Sequence, residues 1–76
     1  MNIKNIKTND LKEYERNNKD HSPIQIDKIA ESIERYGFRQ PLVIDTNNVV
    51  IVGHGRLLAA KLLGMEELPC ELADDL

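Results

Sequence analysis

The sequence predicts a small α+β domain whose elements run strand, loop, helix, hairpin, helix, strand. Three observations predict it. A capped helix pattern spans Pro23 to Tyr36. Two β-branched runs, Leu42–Ile44 and Val49–Val52, are separated by the turn residues Asp45-Thr46-Asn47-Asn48. A glycine-broken junction, Gly53-His54-Gly55, then hands over to the helix-forming run Arg56–Leu63.

Each element follows from local chemistry. Ile3, Ile6 and Leu11 are spaced for a short opening strand and the turn after it. Lys12 to His21 is almost wholly polar and reads as a loop. Ser22 suits a helix cap, Pro23 the first helical position, and Gln25 a capping box. Ile26, Ile29, Ala30 and Ile33 then mark one buried helical face. Gly37 stands where a left-handed residue ends a helix. Val49–Val52 is apolar on both faces, which predicts a buried central strand. Gly64 ends the second helix. Leu68–Leu72 reads as a last strand, with Pro69 near its start or on an edge.

The 76 residues allow one domain, here 1–76, and the acidic end Glu71–Leu76 reads as a cut from a longer protein. A chain this short buries only roughly 60% of its unfolded surface. Its single cysteine excludes an internal disulfide and fits a reducing compartment, so a cytoplasmic setting is expected. No apolar run has the length of a membrane helix, and the start is no secretory signal. Two histidines and one cysteine are too few for a four-ligand zinc site without carboxylates. The net charge of −3 argues against strong nonspecific DNA binding by this segment alone.

Chemistry concentrates at Gly53-His54-Gly55-Arg56. A helix start carries unpaired N–H groups and the positive end of the dipole. Glycine permits positive φ and close approach, and Arg56 adds a planar donor fork suited to phosphate oxygens. The turn therefore reads as an anion site. The same glycines also serve plain strand-to-helix geometry, and the arginine could be solvated. The pattern is neither a Walker A loop nor a dinucleotide fingerprint.

His54 could donate to a phosphate or move a proton, and is the one weak catalytic candidate; a bond to the helix-start backbone is the alternative. His21 is expected to help cap the first helix. Ser32 lies beside that helix's buried face, and Arg39 and Gln40 precede the hairpin. These three are either surface residues or part of the same cleft. Cys70 reads as core filling. Asp74 and Asp75 read as a solvated end. A metal-dependent nuclease would have to draw on His21, His54, Asp20 and Asp45, and no metal site is expected.

The pattern Gly53-x-x-Arg56-x-x-Ala59 resembles the signature of ParB-type partition proteins. The upstream run Ser32-Ile33-x-x-x-Gly37-x-x-Gln40-Pro41 and the Leu68-Pro69 strand match that family as well. The segments Tyr14-x-x-Asn17 to His21, Ser32-Ile33 and Ile51-Val52-Gly53-His54-Gly55-Arg56 are similar to the ParB-like domain of phage and prophage proteins, often fused to DNA methyltransferases. The resemblance implies a sulfiredoxin-like fold with a mixed sheet. It implies that Gly53, His54, Gly55 and Arg56 meet nucleotide phosphates, with Ser32, Arg39 and Gln40 along the same cleft. The nucleotide implied is CTP, or ATP, with Mg2+. The implied partners are DNA, reached through a larger protein, and a second copy of the chain. Slow triphosphate hydrolysis and nuclease activity both belong to the family's label; neither is assigned to this domain alone. A nucleotide-independent recognition or interaction module is the alternative. The ParB turn usually has Glu-Arg where this chain has His54-Gly55. Sulfiredoxin's reactive cysteine falls at His54, so sulfinic acid reduction is not expected.

Overall fold

The structure is a computed structural model describing residues 3–14 and 22–73. Five strands and two helices follow in order: β1 Ile3–Lys7, a 3-10 turn Thr8–Asp10, β2 Lys12–Glu13, α1 Pro23–Tyr36, β3 Leu42–Ile44, β4 Val49–Val52, α2 His54–Leu62 and β5 Glu67–Leu72. The strands form one mixed sheet in the order β1-β5-β3-β4-β2. β1 and β5 are antiparallel, as are β3 and β4, whereas β5–β3 and β4–β2 are parallel. The small α+β class with a mixed sheet is thus present.

The helix boundaries trace to caps. The Ser22 hydroxyl accepts from the Gln25 amide at 3.2 Å, and Pro23 opens α1. Gly37, at φ 84°, receives the chain as α1 ends, its amide donating to Ile33 O at 2.8 Å. At the end of α2, the Met65 amide donates to Ala60 O and the Gly64 amide to Lys61 O, both at 3.1 Å. With Gly64 at φ 74°, this is a Schellman motif. The hairpin turn is held by Asp45, whose Oδ1 accepts from the amides of Asn47 (2.8 Å) and Val49 (2.9 Å). Asn48 takes the left-handed position at φ 63°, which asparagine tolerates better than most residues.

Several sequence expectations are corrected. Lys12 and Glu13 are not loop but the edge strand β2, held parallel to β4 and anchored by Lys12 N donating to Asn48 O at 2.9 Å. Both side chains are exposed, so no hydrophobic alternation marks this strand. β4 is not the central strand; β3 is. Only Val50 of β4 is fully buried, and Val52 is 50% exposed. α2 begins at His54 rather than Arg56. β5 begins at Glu67 and is an inner strand, with Pro69 its third residue. The proline is accommodated because the β3 ladder starts only at Cys70. Of the apolar face of α1, only Ala30 is buried; Ile26, Ile29 and Ile33 are half-buried. The positions Asn17, Asp20, His21, Asp74 and Asp75 lie outside the described residues.

The core joins Leu11, Leu42, Ile44, Val50, Leu57, Ala60, Leu68 and Cys70, with Ile6, Phe38 and Met65 packed against it. Cys70 is 2% exposed, and burial raises its thiol pKa. A thiol reagent at neutral pH should therefore leave native Cys70 unmodified and label it on unfolding. Prompt labelling of the native protein would contradict this packing.

Thr8 ties the first turn to the end of α2. It is 5% exposed, and its hydroxyl donates to Met65 O at 2.6 Å while its amide donates to Glu66 O at 2.8 Å. Thr8→Val keeps the shape but strands the carbonyl, so it should cost about 1–3 kcal/mol in urea denaturation. An unchanged midpoint would show that this hydrogen bond contributes nothing.

Candidate functional site

The site is organised by the junction between β4 and α2. The β3–β4 ladder slips between Val43 and Ile44, leaving Ile51 as an extra residue between Val50 and Val52. Such a bulge bends its strand. Gly53 follows in the left-handed region, at φ 103° and ψ 25°, and its carbonyl accepts the first bond of α2 from Leu57 N at 2.9 Å. A Cβ at Gly53 would lie 2.5 Å from Leu42 Cδ2 and 3.0 Å from Arg56 Nη2. Glycine is thus required by backbone conformation and by a leucine and a guanidinium packed against it.

Arg56 projects from the first turn of α2 towards the segment joining α1 to β3. Its Nη1 donates to Gln40 O at 2.6 Å and to Pro41 O at 3.4 Å. The guanidinium stands 6.0 Å from the centre of the Phe38 ring, within cation–π range. Burial lowers its pKa, yet an arginine keeps its charge. Among the described residues, no carboxylate forms an ion pair with Arg56.

Beside Arg56 opens a groove of about 850 Å³. One wall is α1, contributing Gln25, Lys28 and Ser32 along with Ile29, Ile33 and Tyr36. The other is the segment Gly37, Phe38, Arg39 and Gln40, with Arg56 from α2. Lys28, Arg39 and Arg56 put three positive charges on the lining, and among the described residues no acidic side chain shares it. The helix explains this sorting. Lys28, Ser32 and Tyr36 succeed one another at i, i+4 and i+8 on one stripe, while Asp27 and Glu34 fall on the other side and Glu31 borders the stripe next to Lys28 and Ser32. The Glu31–Arg35 pair at 3.9 Å is exposed and adds little.

The structure brings Ser32, Arg39, Gln40 and Arg56 around one groove. Gly53 touches it only through the guanidinium. His54 and Gly55 do not line it and are buried. For His54, the reason is helical geometry. Because α2 starts at His54, that residue and Arg56 stand about 200° apart on the helix. His54 is 4% exposed and directed to the β2 side, its Nε2 lying 2.9 Å from Oε1 of Glu13. A carboxylate only accepts, so Nε2 carries the proton and donates. Glu13 Oε2 also meets Lys61 Nζ at 3.4 Å. The bond from His54, more than the attraction of Lys61, lowers the Glu13 pKa below its ordinary 4.5, against the opposing effect of partial burial.

Sequence reasoning did not single out Glu13, Lys61, Lys28 or Phe38, and read Gln25 only as a capping residue. The stripe from Gln25 to Tyr36 was available as a signal for the α1 residues. Glu13 carried none, since its partners are remote in sequence. The nuclease candidates do not converge among the described residues: Asp45 is spent on its own turn and His54 on Glu13.

Comparison with known proteins places this geometry. Over 60 residues the chain is 38% identical to the ParB-like nuclease domain-containing protein YnaK of Escherichia coli, covering 79% of this chain and 69% of that protein. The fold matches a C-terminally truncated chromosome-partitioning protein ParB from Caulobacter crescentus complexed with CTP-gamma-S, at a TM-score of 0.83 and 17% identity. That match covers 99% of this chain and 47% of the ParB chain. Sulfiredoxin from Arabidopsis thaliana matches at a TM-score of 0.82 and 14% identity, over 96% of this chain and 85% of its own. The ParB N-terminal domain profile matches residues 1–75. A chain with this profile, this sheet order and this relative belongs to the ParB N-terminal domain family.

Proposed function

We propose that the groove between α1 and the start of α2 binds the phosphates of a nucleoside triphosphate, with CTP the first candidate and ATP the second. The observation that carries this reading is charge. In a chain of net −3, Lys28, Arg39 and Arg56 line one groove with no carboxylate among its described lining residues. Low-dielectric walls concentrate such a field on an anion. Ser32 and Gln40 add uncharged hydrogen-bonding groups, and Ile29, Ile33 and Phe38 offer apolar surface for a ribose or base. The fold neighbour from Caulobacter crescentus, in complex with CTP-gamma-S, supports the ligand class. With no acidic side chain among the described lining residues, a magnesium ion would be held by the phosphate oxygens. Among the described residues no histidine or carboxylate lines the groove, and binding is the step proposed here. The nucleotide would act as a signal within a larger DNA-associated protein, dimeric or linked to a methyltransferase as in the phage proteins the motifs resemble.

The test is thermal melting with millimolar CTP, ATP or pyrophosphate and magnesium. A ligand at about ten times its Kd adds about 1.4 kcal/mol, which for a domain this size raises Tm on the order of 5–10 °C. If none of the three raises Tm, the reading fails.

One observation favours a second reading. Arg56 Nη1 is already engaged by two backbone carbonyls, so the arginine also serves to hold the Gln40–Pro41 segment. Were that its sole role, the domain would be a nucleotide-independent recognition module. DNA or partner binding unaffected by nucleotide would then be observed.

A further inference from the structure

The geometry points to Glu13 as a positioning residue for the Arg56 groove, a role that rests on the binding reading above. Glu13 lies on the far side of α2 from the groove and touches nothing in it. Its carboxylate nonetheless bridges α2 lengthwise. One oxygen receives His54 in the first turn at 2.9 Å, and the other meets Lys61 two turns later at 3.4 Å. Those two helical residues are seven apart, so a single side chain from the edge strand fixes both the rotation and the tilt of α2.

That matters because the start of α2 has no side-chain cap. Gly53 is a left-handed residue with no side chain to cap the helix. β2 itself is only two residues long, paired to β4 at Lys12 and Glu13. The bond that Glu13 accepts from a side chain 3% exposed is therefore a polar tie that holds the first turn from behind. A ring donor so buried loses more when its acceptor is removed than an exposed one does. Arg56 stands two residues beyond His54 and faces the opposite way. Any rotation of that turn is carried directly to the guanidinium and to its bonds with Gln40 and Pro41.

The charged or titratable groups meeting Glu13 among the described residues are His54 and Lys61, both of α2; β4, beside which β2 lies, is wholly valine and isoleucine. The tie should consequently be complete above the ordinary carboxyl value of 4.5 and be lost as pH falls below it, since the folded-state pKa is lowered.

The experiment compares wild type, Glu13→Ala and Glu13→Gln by nitrogen-15 NMR without ligand, followed by CTP titration. Alanine should shift or broaden the Arg56 side-chain Nε–H signal. It should speed hydrogen exchange at the Leu57 amide at least tenfold and weaken CTP binding about tenfold. Glutamine, whose amide oxygen still accepts from His54, should restore most of each. Lowering pH below 4.5 should move the Arg56 signal in wild type and leave it in place in Glu13→Gln. A purely structural glutamate would lower Tm in the alanine variant while the Arg56 signal and Leu57 exchange stayed at wild-type values, and that result overturns the proposal. If alanine prevents folding, the glutamine variant and the wild-type pH titration decide it. If wild type binds no CTP, the function proposed above fails, whereas the ligand-free Arg56 signal still judges Glu13.

Discussion

Gly53→Ala is expected to be the most damaging single substitution in the chain, lowering stability by about 2–4 kcal/mol. Two costs combine. The backbone at φ 103° is one that side-chain-bearing residues rarely adopt, and holding one there costs about 1–3 kcal/mol. The added methyl would also sit 2.5 Å from Leu42 Cδ2. Leu42 is 0% exposed and stands on β3 between β4 and β5, so its side chain must shift within the core to admit the methyl. Overpacking of this kind costs about 1–3 kcal/mol more, less whatever relaxation both strains share. A domain of this length holds roughly 4–11 kcal/mol in total. The expected fall in Tm is on the order of 10–20 °C. The methyl would meet Arg56 Nη2 at 3.0 Å as well, so the surviving folded fraction should bind anions poorly. A thermal melt of the alanine variant within 3 °C of wild type, a margin of roughly half a kcal/mol, would show that this junction is not strained as described.

Arg56→Ala should have the largest effect on binding and a smaller one on stability. The guanidinium lies partly in solvent, and its two acceptors are backbone carbonyls at the surface. Removing it should cost about 1–2 kcal/mol of folding stability, in the range for charged hydrogen bonds. Binding is different, because a charge facing a phosphate in a groove has no substitute. We expect affinity for CTP or pyrophosphate to drop by about 30- to 1000-fold, equivalent to about 2–4 kcal/mol. Arg56→Lys separates the two roles of the residue. Lysine restores the charge, but its single nitrogen cannot bond the Gln40 and Pro41 carbonyls while presenting further donors to a ligand. Affinity should stay at least tenfold below wild type by calorimetry. Full recovery with lysine would mean that charge alone matters and the fork does not.

The sequence was informative wherever one residue type has one local reason to be present. Ser22 and Pro23 with Gly37 bound α1 correctly, since caps act within four residues of themselves. Asp45 and Asn48 marked the hairpin for the same reason. What could not be read were effects arising between distant segments. β2 is a strand because β4 is beside it, and nothing in Lys12-Glu13 says so. Gly53-His54-Gly55 looked like an open turn of two glycines. In fact Gly53 alone takes the left-handed conformation before α2, and Gly55 lies within the helix. That shift of helix start by two residues turned His54 away from the groove and into contact with Glu13. The reading of Ser32, Arg39 and Gln40 as neighbours of Arg56 came from motif resemblance. Periodicity along α1 placed Ser32 beside the apolar face but gave no hint of the segment that approaches it.

An anionic ligand is expected to enter the groove bounded by Lys28, Ser32, Arg39 and Arg56. Chemical-shift mapping during a CTP titration locates the ligand most directly. The predicted result is saturable movement of the Ser32, Arg39, Gln40 and Arg56 amides. The separate depression of about 650 Å³ lined by Lys7, Asn9 and Glu66 should stay silent. Shifts confined to that second depression, or none at all at millimolar CTP with magnesium, would contradict it.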